Sequence, residues 1–401
     1  MGEDSNVLET MNYQCYERKG DVYCLFYELG LSLLRPNYLL SFITSNKWMR
    51  TEYGESLRNF LATNSNPEVL IDFTGVKVFD AATVEVNILT LTKKKNVGYT
   101  LSCAVNKNEF DITKLSDYVQ RQSDVSAYMN SDSWVILSGI EKSIKTKIES
   151  IGTPLKDWDI SINYGIKTGF NDAFIINNEK RNQILDACYS EEERSRTDAI
   201  IRPILRGRDV RRYGCDWSGL WIINTHNGIK GLKDRINIAE YPALKAHLDL
   251  YWDKISSRSD KGDTPYNLRN CAYLDDLSKP KIVWGNLNQR ASYAMAGADL
   301  FINAPGTMIV PASNYLLGVL NSKLADFYIR TLGVARNGGY FEYKPMFISQ
   351  LPVDKANASA FEDEFKSLIE THNESTIDSL VYDIFKLSDE ERIFIEKNSI
   401  V

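Results

Sequence analysis

The chain has 401 residues, of which 43% are hydrophobic and 25% charged, with a formal net charge of −6. These values are typical of a globular protein with room for about two domains, and they exclude a long disordered chain. They also exclude a strongly basic, non-specific nucleic-acid binder. The acidic charge is concentrated in residues 354–401, which hold twelve acids against five bases and leave the remainder nearly neutral.

Targeting and redox features are weak. The sequence contains no apolar run long enough to span a membrane and no signal peptide pattern at its start. Its six cysteines are scattered and its histidines number three. We therefore expect a cytoplasmic protein with reduced thiols, no metal site and no membrane partner.

The first 95 residues alternate predicted helices and strands. Helical periodicity covers residues 22–34, ending before Pro36, and an amphipathic pattern covers residues 53–62. Three apolar runs predict strands, at residues 38–44, 69–73 and 84–91. The first of these runs is typical of a buried parallel strand. This alternation predicts an α/β, doubly wound sheet.

A domain boundary is predicted near residue 150, where a helix over residues 141–150 is followed by Gly152-Thr153-Pro154. Beyond it the pattern favours short strands between polar loops, for example at residues 164–174, 217–223, 281–287 and 314–320. Residues 361–398 predict a helical tail, with an N-cap at Ser388. The expected architecture is an α/β domain over residues 1–150, followed by an α+β domain with a helical tail over residues 151–401.

Residues 200–212 carry five arginines against one acid, Asp209. Arginine places two donors in a fork onto a phosphate or onto the major-groove edge of guanine. An apolar strand that leads into an arginine loop hinged at Gly207 suggests a loop that enters DNA. A solvated basic turn is the alternative interpretation.

Several segments, taken in order, resemble one enzyme family. Pro-Ile-Leu-Arg-Gly-Arg-Asp within residues 201–213, and residues 315–332 and 338–353, resemble the C-terminal specificity domain of TaqI-like adenine-specific DNA methyltransferases. Three segments nearer the start, at residues 20–30, 40–48 and 78–83, resemble the later half of the catalytic domain in type IIG (type IIS) restriction–modification enzymes. The resemblance implies an incomplete doubly wound methyltransferase sheet over residues 1–150 and a DNA target-recognition domain after it.

The resemblance also implies a reaction and a missing part. The intact enzyme would move a methyl group from S-adenosylmethionine to the exocyclic amine of adenine in double-stranded DNA. This sequence has no Gly-x-Gly and no adjacent prolines, so it lacks the family's cofactor loop and its Asn-Pro-Pro-Tyr motif. We expect an N-terminal catalytic half, in the same or a separate polypeptide, without which this chain neither methylates nor holds the cofactor. Two alternatives stay open: a stand-alone or split-gene specificity protein without catalysis, and a degenerate remnant that serves only as an interaction protein.

Two aromatic residues are assigned by the resemblance. Phe79 matches the catalytic-domain aromatic that stacks on a flipped adenine, and its alternative is a core residue at a strand end. Phe26 matches the aromatic that packs on the adenine of the cofactor, and its alternative is a helix core position.

The DNA-binding candidates come from four loops. Arg206 and Arg208 are candidates for base edges, whereas Arg211 and Arg212 are candidates for phosphates. Asparagine and glutamine pair with adenine and arginine with guanine, so residues 288–290 are base-reading candidates, with an ordinary polar turn as the alternative. A structural role is the alternative for Tyr340. The full set is Lys167, Thr168, Asn171, Arg206, Arg208, Arg211, Arg212, Asn288, Gln289, Arg290, Arg336, Asn337 and Tyr340. The Trp217/Trp221 pair is expected in the core.

Overall fold

A computed structural model describes residues 5–79, 84–105, 111–332, 335–336 and 339–399, with the backbone alone at residues 335 and 336. The chain divides into two units, Met1–Thr146 and Lys147–Val401. Both units combine helices with sheets, which confirms the expected mixture of α and β structure. Among the described residues, no helix has both the length and the apolar character that crossing a membrane requires.

The first unit is built on a five-stranded sheet. Its strands are β1 (Leu39–Ser45), β2 (Asn66–Asp72), β3 (Val86–Thr92), β4 (Thr100–Ala104) and β5 (Asp124–Ser126). Its helices are α1 (Ser5–Thr10), α2 (Tyr23–Leu33), α3 (Glu55–Asn64), α4 (Leu115–Gln122) and α5 (Gly139–Ile151), the last of which crosses into the second unit. The strand order is β1-β3-β2-β4-β5, in which β2 and β4 are parallel and the other neighbours antiparallel.

The predicted strands and helices of this unit are confirmed, but the prediction of a buried parallel strand at residues 38–44 is wrong. β1 lies at the edge of the sheet and pairs antiparallel with β3, which is inserted between β1 and β2. Its residues alternate between exposed and half-buried, with Leu39 and Ile43 exposed. A mainly apolar run indicates burial on both faces only when both faces of that strand are covered, and the face of β1 that carries Leu39 and Ile43 is exposed.

Hydrophobic side chains cover both faces of the sheet. Leu70, Leu89 and Leu91 pack with buried residues of α2 and α3. On the other face, Ile71 and Cys103 pack with Tyr118 of α4. Because successive residues of a strand point to opposite faces, the alternation along β2 and β3 produces a layered α/β core.

The second unit contains several smaller sheets. Its strands are β6 (Thr153–Pro154), β7 (Ser161–Tyr164), β8 (Ile175–Asn177), β9 (Ile201–Leu205), β10 (Val210–Arg211), β11 (Gly214–Cys215), β12 (Leu220–Ile223), β13 (Lys281–Trp284), β14 (Leu287–Asn288), β15 (Tyr293–Ala296), β16 (Phe301–Ile302), β17 (Thr307–Val310), β18 (Ala335–Arg336), β19 (Tyr340–Glu342) and β20 (Pro352–Val353). Two four-stranded sheets have the orders β16-β9-β12-β8 and β15-β13-β17-β7. The strands β14, β19 and β18 form a third sheet, and β10–β11 and β6–β20 are two-stranded.

Helices surround these sheets. They are α6 (Asn171–Phe174), α7 (Asn178–Asp186), α8 (Glu191–Ile200), α9 (Pro242–Asp249), α10 (Trp252–Ser257), α11 (Asn314–Asn321), α12 (Lys323–Leu332), α13 (Pro345–Ile348), α14 (Ala358–Glu370), α15 (Glu374–Ile384) and α16 (Asp389–Asn398). The predicted helical tail is confirmed as α14 to α16. The capping box at Ser388 is present, since its hydroxyl accepts from the Glu391 amide while the Glu391 carboxylate accepts from the Ser388 amide.

The prediction of a strand at residues 314–320 is wrong, because these residues form α11. The family resemblance of residues 315–332 to a late helix agrees with the structure instead. The Ser313 hydroxyl accepts from the Leu316 amide, and the Glu362 carboxylate accepts from the amides of Asn314 and Tyr315. From Tyr315 onward every residue of α11 is buried, so its sequence shows no amphipathic period from which a helix would be predicted.

Candidate functional site

The arginine loop begins where β9 ends, and its first arginine turns inward. The Arg206 amide and Nε donate to Asp209 Oδ2 at 2.8 and 2.9 Å, and Nη2 donates to Oδ1 at 2.8 Å. Nη2 also donates to the Ser218 hydroxyl at 2.9 Å. Burial by itself would raise the pKa of Asp209, but the hydrogen bonds from Arg206 outweigh it, so the pKa lies below its ordinary value of 3.8. Arg206 therefore closes the loop through Asp209, and its guanidinium group is already engaged in hydrogen bonds.

The middle of the loop faces outward. Arg208 is exposed, and within the described residues no acidic side chain pairs with its guanidinium. Arg211 is also exposed, with Asp216 at 3.1 Å and the Arg208 carbonyl at 2.6 Å from its guanidinium. Exposed ion pairs of this kind are weak and exchange readily for another anion. Arg208 and Arg211 are thus the accessible cations of the loop.

The last arginine of the loop is directed inward. The Arg212 side chain is 11% exposed, and its Nε lies 2.6 Å from Glu374 of α15. Its Nη1 donates to the carbonyls of Asn321 and Ala291. The phosphate contact predicted for Arg212 would require these contacts to break.

A second candidate loop, residues 285–291, adjoins the arginine loop. A Cβ on Gly207 would lie 3.0 Å from the Cα of Gly285, so glycine at both positions lets the two backbones meet. Gln289 and Arg290 are exposed beyond this contact. Asn288 is half-buried, and its amide donates to the Gly285 carbonyl at 2.7 Å, which closes the turn. Of the three predicted base-reading residues, two therefore face outward.

The third candidate segment joins the second through a sheet. Asn288 of β14 is the register partner of Phe341 in β19, and Tyr340 is that of Arg336 in β18. Tyr340 is exposed at the start of β19. Asn337 lies outside the described residues. The arginine loop, the 285–291 loop and the β18–β19 strands are therefore neighbours.

The Gly-flanked loop after β7 divides its candidates between surface and interior. Lys167 is exposed and pairs with Asp260 at 2.7 Å, and Asn171 is exposed at the start of α6. Thr168 is buried, its hydroxyl donates to Asn171 Oδ1 at 2.6 Å, and its carbonyl accepts from Arg258. The Thr168 hydroxyl therefore maintains the loop, and a DNA phosphate contact by it would require the loop to open.

The two aromatic candidates of the first unit are on the surface. The Phe26 side chain is 52% exposed and that of Phe79 is 44% exposed, so the alternative core positions are contradicted. Phe79 follows the end of β2 by seven residues, and the preceding Val76 and Val78 pack against the core. This packing leaves the Phe79 ring facing solvent, the orientation that stacking on a base requires.

A polar cluster at the carboxyl ends of β1 and β2 was not predicted from the sequence. The Asn46 amide nitrogen donates to Asp72 Oδ1 and to the Thr74 hydroxyl, both at 2.8 Å. Asp72 is buried, and Arg50 lies 3.8 Å from its carboxylate. The carboxyl ends of strands are where ligands bind in open α/β sheets, and Asn46 and Asp72 each follow or end an apolar run. That placement is the signal that could have identified them.

Two further expectations concern aromatic and metal-binding residues. The expectation that Trp217 lies in the core is wrong, because it is exposed and packs edge-to-face on half-buried Trp221, whose ring Arg181 covers at 4.1 Å. Among the described residues, no three His, Cys, Asp or Glu side chains meet in an arrangement that would hold a metal ion.

Comparisons with known proteins identify the class of this chain. Residues 1–79 match the model of the Eco57I restriction-modification methylase family, and residues 202–353 match that of the TaqI-like C-terminal specificity domain. The chain is 21% identical to type II methyltransferase M.PaeR7I of Pseudomonas aeruginosa over 86% of its own length and 60% of that protein. It is also 21% identical to type II methyltransferase M.BstVI of Geobacillus stearothermophilus, over 94% and 69% respectively. The chain thus spans about 60% of the first relative.

A solved structure agrees with this class. The type IIL restriction–modification enzyme MmeI, solved in complex with DNA, shares the fold with a TM-score of 0.61 and 13% identity. The match covers 99% of this chain and 54% of MmeI. The expected resemblance is confirmed, since the chain is similar to type II restriction–modification DNA methyltransferases and to two family models of that class. More particularly, its residues 202–353 are similar to the TaqI-like specificity domain.

Proposed function

We propose that the second unit is a target-recognition domain that reads a short duplex DNA sequence through the arginine loop and the 285–291 loop. The single observation that carries this proposal is that the side chains of the two loops divide into an exposed set and a set held by internal contacts. Arg208, Gln289 and Arg290 face outward from two loops whose backbones touch, while Arg206 and Arg212 are tied down behind them. A reading surface needs both accessible donors and a fixed backbone, and this arrangement supplies both.

The outward residues have the chemistry of direct readout. Arg208 and Arg290 are suited to the N7 and O6 acceptors of guanine, and Gln289 to adenine. Lys167 and Arg211, both exposed and held only in surface ion pairs, are suited to phosphates that set the register. Tyr340, Arg336, Asn337 and Asn171 remain predicted contributors at the margin of this surface.

We propose further that the first unit belongs to a methyltransferase domain that acts on adenine. Its exposed Phe79 would stack on the target base after flipping, because an extruded base needs a replacement for its lost stacking. S-adenosylmethionine would supply the methyl group. The residue of this chain that would hold its adenine ring is Phe26, whose exposed face fits that role. The six cysteines are all free, in keeping with a cytoplasmic, reducing setting.

The surface around Phe26 supports a partner for this unit. Val22, Phe26, Leu29 and Leu33 are exposed at helical spacing along one side of α2. β1 is an edge strand with exposed Leu39 and Ile43. Open strand edges and exposed apolar stripes mark docking surfaces. We propose that an N-terminal catalytic half, in the same or a separate polypeptide, covers them and completes an incomplete doubly wound sheet at β1.

The test is selection of bound duplexes from a randomised pool by the purified chain, over a series of salt concentrations. We expect enrichment of a short non-palindromic site that contains adenine. Arg208→Ala should relax the choice at one base pair by about 1–3 kcal/mol. Arg194→Ala, at an arginine of α8 whose side chain is 41% exposed and pairs with Asp186, should leave the enriched site unchanged.

Other outcomes separate the alternatives. Salt-sensitive binding without enrichment would overturn reading by these loops alone, and no binding at low salt would favour the remnant. With the enriched site in hand, 2-aminopurine in place of its adenine reports flipping by increased fluorescence. We expect Phe79→Ala to abolish that increase, and an unchanged signal would overturn the stacking role.

A further inference from the structure

A pair of side chains on α12 holds the back of the 285–291 loop. Arg330 Nη2 donates to the Gln289 carbonyl at 2.7 Å, and Asp326 Oδ1 accepts from the Ala291 amide at 3.1 Å. Arg330 and Asp326 are themselves paired at 2.8 Å. One ion pair thus binds the main-chain groups on either side of Arg290. We name this pair, Arg330 and Asp326, the α12 bracket.

The α12 bracket is shielded from water. The side chains of Arg330 and Asp326 are 15% and 9% exposed. The Tyr343 hydroxyl donates to Asp326, and the Arg330 guanidinium lies over the Phe341 ring at 4.3 Å from its centroid. Hydrogen bonds that are shielded from water in this way are stronger than exposed ones and fix the geometry of the groups they join.

The same network fixes the loop at its start. The Tyr343 amide donates to the Asn286 carbonyl at 2.8 Å, and the Asn286 side chain accepts from the Thr307 hydroxyl at 2.6 Å. The loop backbone is therefore held at residues 286, 289 and 291, while the side chains of Gln289 and Arg290 face outward. Base discrimination depends on placing such donors within about 0.5 Å of their targets.

We infer that Arg330 and Asp326 are positioning residues that set which bases Gln289 and Arg290 select, without touching DNA themselves. The inference rests on the proposed function of the second unit. Lysine at position 330 would keep the positive charge beside Asp326, but it has no planar fork to reach the Gln289 carbonyl and stack on Phe341 together. The expected consequence is a loop that still binds DNA but chooses bases less strictly.

The test compares Arg330→Lys with Arg392→Lys. Arg392 is a matched control in α16, since it also pairs with a carboxylate, Asp383 at 2.6 Å, donates to a carbonyl, and lies near an aromatic ring, Tyr382. Arg330→Lys should lower the preference for the enriched site over a scrambled duplex by about tenfold, with binding to the scrambled duplex and its salt slope unchanged. Arg392→Lys should change neither quantity.

A double variant distinguishes positioning from general weakening. In a Gln289→Ala/Arg290→Ala background, Arg330→Lys should cause no further loss of preference, because the side chains it positions are gone. A further loss in that background, or an equal loss of binding to every sequence, would overturn the inference.

A readout without DNA keeps the inference separate from the proposed function. Hydrogen exchange of the Ala291 amide should accelerate in Arg330→Lys and in Asp326→Asn, and stay at the wild-type rate in Arg392→Lys. Unchanged exchange at Ala291 would overturn the α12 bracket whether or not the chain binds DNA. A wild-type chain that binds no DNA, but whose Ala291 amide responds as expected, would overturn the proposed function alone. If Arg330→Lys does not fold, Asp326→Asn carries the same comparison.

Discussion

The two units of this protein treat their candidate functional side chains differently. In the second unit, the arginines of one short loop are sorted, so that Arg206 and Arg212 brace the backbone and Arg208 faces solvent. In the first unit, Phe26 and Phe79 are left on the surface, and β1 lies at the edge of the sheet. A loop whose backbone is stabilised by its own arginines can present a specific surface by itself. Exposed aromatic rings form a binding site only when another molecule or chain segment packs against them.

The largest expected effect sharpens this contrast within the first unit. Phe73, six residues before Phe79, is buried among Ile71, Val86 and Tyr118. Phe73→Ala should lower the free energy of unfolding by about 3–5 kcal/mol, because it leaves a cavity in the core. Phe79→Ala should change it by no more than about 0.5 kcal/mol. Urea denaturation measures both, and a large loss for Phe79→Ala would mean that Phe79 is a packing residue.

In the second unit, a smaller effect should distinguish Arg206, which stabilises the loop, from Arg208, which faces solvent. Arg206→Ala removes the partner of buried Asp209 and should cost about 3 kcal/mol of stability. Arg208→Ala, in the same turn, should cost no more than about 0.5 kcal/mol while weakening DNA binding. Thermal denaturation beside a binding titration checks the pair. Equal losses of stability in the two variants would contradict the expectation that Arg206 stabilises the loop and Arg208 contacts DNA.

The smallest effect is a pH dependence of the stability that the Arg206–Asp209 pair contributes. The folded-state pKa of Asp209 lies below the ordinary value of 3.8, because the hydrogen bonds from Arg206 outweigh the opposing effect of burial. The stability it contributes is therefore complete above pH 3.8 and is lost as the pH falls through the lower folded pKa. The difference in unfolding free energy between wild type and Asp209→Asn should be constant from pH 7 to 5 and shrink below pH 3.8. A difference that persists at pH 2 would exclude this linkage.

Much of the fold follows from local sequence patterns. The apolar periodicity of α2, the capping residues around Ser388 and the apolar runs of β1 to β3 predict those elements correctly. The failures have a common cause. β1 and α11 are both mainly apolar segments, and such a segment does not show whether one face, both faces or an entire helix surface is buried.

The candidate site was predictable in position but not in detail. Five arginines around one glycine identify the candidate DNA-binding loop, yet nothing in their order separates Arg206 and Arg212 from Arg208. Arg206 pairs with Asp209 of the same loop and also with Ser218 in the next strand connection, whereas the partner of Arg212, Glu374, belongs to the tail. Arg330 and Asp326 showed no signal at all, because a helix surface with an i,i+4 ion pair is ordinary in sequence.

The sequence by itself determined the class that the molecule resembles: an α/β segment, a segment similar to a TaqI-like specificity domain with a basic loop, and a neutral body with an acidic helical tail. Those properties reside in residue types and short spacings. Only the tertiary structure decided which arginine faces outward, which aromatic ring remains exposed and which helix holds the 285–291 loop. These depend on contacts between residues far apart in the chain, such as Arg212 with Glu374 and Arg330 with Gln289, and hydrogen bonds of that kind form only after the elements have packed.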